Sequence, residues 1–256
     1  MPNYQIAIPS YKRASLCNNK TLAFLQREGI DKQRIHVFVA DDEYDEYLAT
    51  LHNDRYNKLL IGAVGLVGQR EKIEEYFAKD ECILFLDDDL EGINMELSCF
   101  YGVSLNEFIL AGFAECRSSG ANIWGVYPVN NNFFMETRPD VNYNLSYICG
   151  NFYGLINRKL PELRLTITRE NGNKEDVERT LLYWKTDNKL VRFERVSTKT
   201  KYYGTDGGGL GKFNDRLKHM AEATDRLLAI YGDYGKKYVR KNGMTEFKFS
   251  GQPTQR

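Results

Sequence analysis

Short apolar runs alternate with segments of helical period through the first half of the chain. Tyr4–Ile8, Ile35–Val39, Leu59–Ile61 and Cys82–Leu86 read as strands, and between them Leu22, Phe24 and Leu25, then Ile73, Tyr76 and Phe77, recur at helical spacing. This succession predicts β-α-β units and a mainly parallel sheet flanked by helices. Ile83-Leu84-Phe85-Leu86 lacks polar alternation, as expected of a central parallel strand covered on both faces. In open sheets of this class ligands collect beyond the carboxyl ends of the strands. Pro9-Ser10, Ala40-Asp41-Asp42-Glu43 and Asp87-Asp88-Asp89 all follow such strands, so three polar clusters are expected to converge.

Beyond the acidic run, Ser104-Leu105-Asn106-Glu107 has the form of a capping box and predicts a helix with Leu105, Phe108, Ile109, Phe113 and Cys116 on its inner face. A strand is expected at about 122–127. Residues 128–145 are rich in Asn and irregular, and long loops of this kind are often functional. Tyr147–Ile156 and Leu190–Val196 read as strands, and Asn173 is placed to cap a helix with Val177, Leu181 and Trp184 inward. A last helix carries Phe213, Leu217, Met220, Thr224, Leu227, Leu228 and Tyr231. No internal repeat or linker divides the chain, which predicts a single domain over 1–256.

The 256 residues, 42% hydrophobic and 13% aromatic, supply enough apolar material for one sizeable core. No stretch approaches the roughly 18 consecutive apolar residues of a membrane helix. The start of the chain has no basic region followed by an apolar one, so a cytoplasmic protein without a membrane partner is expected. Five scattered cysteines (Cys17, Cys82, Cys99, Cys116, Cys149) without a C-x-x-C pair indicate neither a disulfide framework nor a zinc knuckle. Net charge is zero, yet residues 1–128 carry 12 basic and 20 acidic side chains, and residues 129–256 carry 23 and 15. An acidic half suits a metal site and a basic half an anionic partner; the two imbalances could equally mingle in the folded chain.

Three successive carboxylates at the end of a buried strand repel one another unless a cation or strong donors neutralise them. Mg²⁺ or Mn²⁺ would do so through hard oxygen ligands, with substrate phosphates completing the shell. A solvated, helix-capping turn is the alternative reading. Ile8-Pro9-Ser10-Tyr11-Lys12-Arg13 at the first strand end, Cys82–Asp89 as apolar strand plus DxD-like motif, and Lys174-Glu175-Asp176-Val177-Glu178-Arg179-Thr180 together resemble the ordered motifs of GT-A fold glycosyltransferases. The resemblance runs over roughly residues 4–205. It is nearest to the phage and kinetoplastid enzymes that glycosylate hydroxymethylated pyrimidines in DNA, the TET/JBP-associated glycosyltransferases.

That resemblance implies one Rossmann-like GT-A domain: a nucleotide-sugar-binding half (1–128) and a smaller C-terminal acceptor-side half (129–256). It implies that Pro9, Ser10, Arg13, Arg70 and Asp88 line the site of a nucleotide-sugar donor, a UDP-sugar above all. Asp87 would meet the donor's ribose or the metal shell, and Asp89 would bind Mn²⁺ or Mg²⁺ directly. Arg70 follows Gly65-Leu66-Val67-Gly68-Gln69, where a helix N-terminus would also suit phosphate; an ordinary helix start with a surface arginine remains open. Glu175 and Asp176 match the x-E-D motif that supplies the base of inverting members, Asp176 being favoured. Acidic residues in a first helical turn also oppose the helix dipole without any catalytic role. His219 is the candidate for the family's late metal-binding histidine, although it falls beside Met220 on a regular helix; a core-edge histidine is the alternative. Gly207-Gly208-Gly209-Leu210-Gly211 reads as a segment that closes over donor or acceptor.

Basic and aromatic residues interleave at Arg195, Lys199, Lys201, Tyr202 and Tyr203, and again at Tyr231, Tyr234, Lys236, Lys237, Tyr238, Arg240 and Lys241. Phosphate contacts and base stacking use that mixture, although charge runs of this kind also serve as plain solvated faces; it is the resemblance that implies a 5-hydroxymethylpyrimidine in DNA as the favoured acceptor. Three other readings stay open: transfer to a cell-surface glycan or viral capsid protein, a nucleotidyltransferase, and a non-catalytic DNA-binding protein with a degenerate GT-A fold. The nucleotidyltransferase is disfavoured because no Gly-rich loop with Arg and Lys follows the first strand. Sugar identity and oligomeric state leave no mark on the pattern.

Overall fold

A computed structural model describes residues 3–170, 172–200 and 213–250. The strands are β1 (Tyr4–Pro9), β2 (Ile35–Val39), β3 (Lys58–Ile61), β4 (Cys82–Leu86), β5 (Leu90–Asn94), β6 (Ile123–Tyr127), β7 (Val141–Asn142), β8 (Phe152–Ile156), β9 (Val191–Thr200), β10 (Gly235–Val239) and β11 (Thr245–Phe249). The helices are α1 (Ala14–Cys17), α2 (Ala23–Arg27), α3 (Tyr44–Thr50), α4 (Leu66–Tyr76), α5 (Leu105–Ser119), α6 (Asn132–Met135), α7 (Glu175–Asp187) and α8 (Phe213–Tyr231).

The main sheet runs β3-β2-β1-β4-β8-β6-β9-β5 across its width, with β7 paired to β9. β3, β2, β1 and β4 are mutually parallel, and β6 pairs parallel with β9. β8 lies antiparallel between β4 and β6, and β5 and β7 lie antiparallel to β9. β4 is therefore central, parallel to β1 on one side and antiparallel to β8 on the other. Its pleat divides the interior: Cys82, Leu84 and Leu86 join one apolar cluster with the α1–α2 segment and α5, while Ile83 and Phe85 join another with α4 and α7. Continuous hydrophobicity along β4 follows from burial on both faces.

Trp124 on β6 needs two glycines around it. A Cβ on Gly154 would lie 2.0 Å from its Nε1, and one on Gly112 of α5 would lie 2.6 Å from Cε2. The capping box at Ser104 is formed in both directions and starts α5 as the motif requires. α7 departs from its expected start. Lys174, in the left-handed region at φ 65°, precedes the helix, and Asn173 is buried instead of capping it. Lys174 turns its ammonium onto Glu246 of β11, a long-range contact that local pattern does not encode. The strand expected at 147–156 is confined to β8, because 147–151 run as a strap whose polar groups bond other elements. β10 and β11 form an antiparallel hairpin that packs with α8 and α7 through Val177, Leu181, Leu227, Tyr231 and Phe247. Lys201, Tyr202, Tyr203 and the glycines at 207–211 lie outside the described residues.

Candidate active site

The acidic run leaves the carboxyl end of β4 and is tied down on every side. The Asp87 amide donates to the Asn151 carbonyl at 3.0 Å. Below it, Thr21 Oγ1 donates to the Asp87 carbonyl at 2.8 Å and accepts from the Leu90 amide at 2.9 Å. Thr21 belongs to a π-helical turn, Asn18–Leu22, between α1 and α2; such single turns are frequent at functional sites. Turn and helix thus hold the backbone of the run while its three side chains diverge.

Asp88 points back towards the end of β1. Its Oδ2 accepts from Ser10 Oγ at 2.6 Å and its Oδ1 from Arg13 Nη1 at 3.2 Å, while Tyr47 of α3 braces Ser10 at 2.6 Å and the Arg13 amide at 3.1 Å. Asp89 accepts from Thr200 Oγ1 at 3.1 Å and lies 3.8 Å from Arg13. Asp87 faces the crevice with 41% of its side chain exposed, ringed by Arg70, Asp88, Asp89 and Glu175. Loss of hydration of the inner part of the side chain, opposed by Arg70 and reinforced by Asp89 and Asp88, pushes its carboxyl up to about 7. Burial likewise raises Asp88 to about 6 against the pull of Ser10 and Arg13.

The x-E-D motif meets this turn through Arg70. Arg70 is 2% exposed, not a surface arginine. Its Nη1 donates to Tyr153 Oη at 3.0 Å and its Nη2 to the Gly150 carbonyl at 3.1 Å; Nε lies 3.1 Å from Glu175, and Nη2 lies 3.7 Å from Asp87. Glu175, 3% exposed, is also paired with Arg179, whose guanidinium stacks 3.8 Å above the Tyr153 ring. Glu175 is thus enclosed by two arginines, which offset its burial. Asp176 is half-buried, accepts from the Val177 amide at 2.9 Å and takes a hydrogen bond from Tyr147 Oη. Burial and the adjacent Asp176 hold the Tyr147 phenol well above its ordinary value, so it is a donor at neutral pH.

The strap at 147–151 completes the enclosure. Besides Tyr147, the Ile148 amide donates to Thr180 Oγ1 at 3.2 Å, and Asn151 Nδ2 donates to Thr198 Oγ1 at 2.8 Å. A Cβ on Gly150 would come 3.0 Å from Glu175 Oε1 and 3.2 Å from Arg70 Nη2. Ser10, Arg13, Asp88 and Asp89 thus form one bonded group and Arg70, Asp87 and Glu175 a second, the two joined through the backbone of the acidic run; Asp176 follows Glu175, and Pro9 ends β1 beside Ser10. His219 sits half-buried on α8, the helix packed against the β10–β11 hairpin, and no hydrogen bond or ion pair joins it to the acidic run among the described residues. Sequence reading missed Tyr47, Tyr147, Tyr153, Arg179 and Asn151. A signal existed for the strap alone, where Gly150-Asn151 interrupts an otherwise apolar segment.

No family model matches the chain, and no curated protein matches it in sequence. Solved structures that match over most of its length include two glycosyltransferases. The mannosyltransferase PcManGT from Pyrobaculum calidifontis, in complex with GDP-Man and Mn²⁺, matches 89% of this chain and 64% of its own at 10% identity, with a TM-score of 0.53. GalNAc-T7 with UDP, GalNAc and Mn²⁺ matches 91% of this chain and 49% of its own at 11% identity, with the same TM-score of 0.53. The fold is of the GT-A type. The chain spans less than two thirds of the length of either structure, and at these identities the likeness is one of fold. No described helix is long and apolar enough to cross a membrane.

Proposed function

We propose that this chain is a glycosyltransferase that moves a sugar from a nucleotide-sugar donor, a UDP-sugar first, to a hydroxyl acceptor. The observation that carries the reading is the convergence of the acidic run, the Ser10–Arg13 loop and the x-E-D helix at the carboxyl ends of β1 and β4, in a fold shared with two glycosyltransferase structures that hold a nucleotide or nucleotide-sugar and Mn²⁺. Donors of this class carry a diphosphate, and the arginines and strand ends supply the complementary groups.

The residues fit a divalent cation of the Mg²⁺ or Mn²⁺ kind. Among the described residues no three His, Cys, Asp or Glu side chains close a complete cage. Asp87 and Asp89 instead offer an incomplete, all-oxygen set, the kind such ions accept when substrate phosphates supply further ligands. Asp88 is spent on Ser10 and Arg13 and serves to order the loop that faces the donor. When bound, the cation would offset charge developing on the departing diphosphate.

Asp176 is the base in this reading, and Glu175 fixes the helix end that presents it. Attack forms the bond from the acceptor oxygen to the anomeric carbon as the bond from that carbon to the diphosphate oxygen breaks. The acceptor proton passes to Asp176. Tyr147 orients the carboxylate by donating to one of its oxygens. The favoured acceptor is a 5-hydroxymethylpyrimidine in DNA, supported by the motif resemblance and by the excess of basic side chains in residues 129–256. The test is release of nucleoside diphosphate from a panel of UDP- and GDP-sugars with Mn²⁺, with and without hydroxymethylated DNA. Stimulation by that DNA with a matching mass gain on the base supports the whole reading. DNA-independent release moves the acceptor to a glycan or protein, and silence with every donor refutes it.

A further inference from the structure

The β10–β11 hairpin carries five basic residues, Lys236, Lys237, Arg240, Lys241 and Lys248, against one carboxylate, Glu246. Lys237 is neutralised by Asp225 of α8 at 2.7 Å, and Arg240 shares Glu246 with Lys174. Among the described residues, no carboxylate pairs with Lys236, Lys241 or Lys248, and all three are exposed. Lys236 and Lys248 stand directly opposite each other in the antiparallel register. Like charges at that position lie about 5 Å apart at their Cβ atoms and destabilise the hairpin, a cost that an anion laid across the pair would remove. Tyr238, 50% exposed, shares their face, with the Lys248 ammonium 5.7 Å from its ring.

The hairpin is joined to the catalytic centre. Glu246 pairs with Lys174, the residue before Glu175-Asp176, and Phe249 stacks on Tyr147 at 6.2 Å, the residue that orients Asp176. We infer that the Lys236–Lys248–Tyr238 face is the docking surface for the acceptor's polyanionic strand, with phosphates seated on the lysines and a base stacked on the tyrosine. A basic groove interleaved with an exposed aromatic ring is what a single strand of nucleic acid requires. This rests on the reading of DNA as acceptor.

The experiment titrates fluorescein-labelled oligothymidylate by anisotropy over a range of salt. It compares the full chain with Lys236→Glu/Lys248→Glu, with Tyr238→Ala, and with Lys79→Glu, an exposed lysine just before β4 at the pole opposite the acidic run. Thermal unfolding of each checks its fold. The double reversal is expected to weaken binding at least tenfold and to lower the slope of log K against log salt by about two, one released counterion per lysine. Tyr238→Ala should weaken binding and leave the slope, and Lys79→Glu should change neither. Tight wild-type binding that the double reversal leaves intact overturns the hairpin proposal while DNA stands as acceptor. Failure of the wild type to bind, or preference for phosphatidylglycerol vesicles over the oligonucleotide, overturns both. Donor turnover, measured alongside on the same proteins, tests glycosyl transfer separately.

Discussion

Glu178 lies two residues beyond the proposed base and is fully buried, yet it pairs with no cation among the described residues. Its Oε1 accepts from the amides of Thr166 at 2.7 Å and Ile167 at 2.9 Å, and its Oε2 from the amide and hydroxyl of Thr168 at 2.8 and 2.6 Å. One carboxylate thus satisfies three backbone N–H groups of the segment leading into α7, and so fixes the helix end that presents Asp176. Glu178→Gln keeps one oxygen for Thr166 and Ile167 but turns an NH₂ towards the Thr168 amide, losing at least one of four charge-assisted bonds and setting donor against donor. At roughly 1.5 kcal/mol for each of two affected bonds, the expected cost is about 3 kcal/mol. For a chain of this size that is a fall in Tm of about 6–12 °C. Glu178→Ala loses all four bonds and leaves a cavity, a cost of about 5 kcal/mol or more that approaches the whole stability of a typical domain. Urea unfolding followed by circular dichroism, with Tm from calorimetry, measures both. A Glu178→Gln variant within about 1 kcal/mol of the parent would refute the premise that this buried carboxylate holds the entry to α7.

Asp89→Ala should abolish Mn²⁺-dependent donor binding by calorimetry, whereas Asp176→Asn should bind donor normally and lose about 10²–10⁴-fold in transfer rate; equal effects in both assays would dissolve the two roles. Arg70→Met breaks the pair with Glu175 and leaves a buried carboxylate short of one partner. It should destabilise the chain by about 3–5 kcal/mol in denaturant unfolding, and a neutral result would show that Arg179 alone suffices for Glu175. Glu74 is raised to about 7 by burial, against the pull of Arg179 and Arg70. Its folded form holds a proton that the unfolded chain releases near 4.5, so it contributes stability below pH 4.5 that is lost as pH rises through 7. Glu74→Gln should flatten that decline and leave the variant up to about 3 kcal/mol more stable at pH 8, measured as unfolding free energy against pH.

What the sequence determined by itself was carried by short-range patterns. Cys82–Leu86 declares a strand covered on both faces because no polar residue interrupts it, and Ser104 with Glu107 declares the start of α5 because both halves of a capping box lie within one turn. The acidic run, the Ser10–Arg13 loop and Glu175-Asp176 were legible as sites for the same reason, each being a compact motif at a strand or helix end. What only the tertiary structure decided are the pairings between distant segments. Glu175 and Asp176 are neighbours with interchangeable chemistry in the sequence; Arg70 and Arg179 enclose the first, and the second stays half-buried with a hydrogen bond from Tyr147. Asp88 is likewise distinguished from Asp87 and Asp89 only by Ser10 and Arg13, more than 70 residues earlier. The start of α7 at Lys174 rather than Asn173, and the hairpin that receives its ammonium, follow from the same cause. A carboxylate's role is set by which charges and hydrogen-bond donors reach it, and here most of them arrive from elements that the local pattern of apolar and polar residues does not connect.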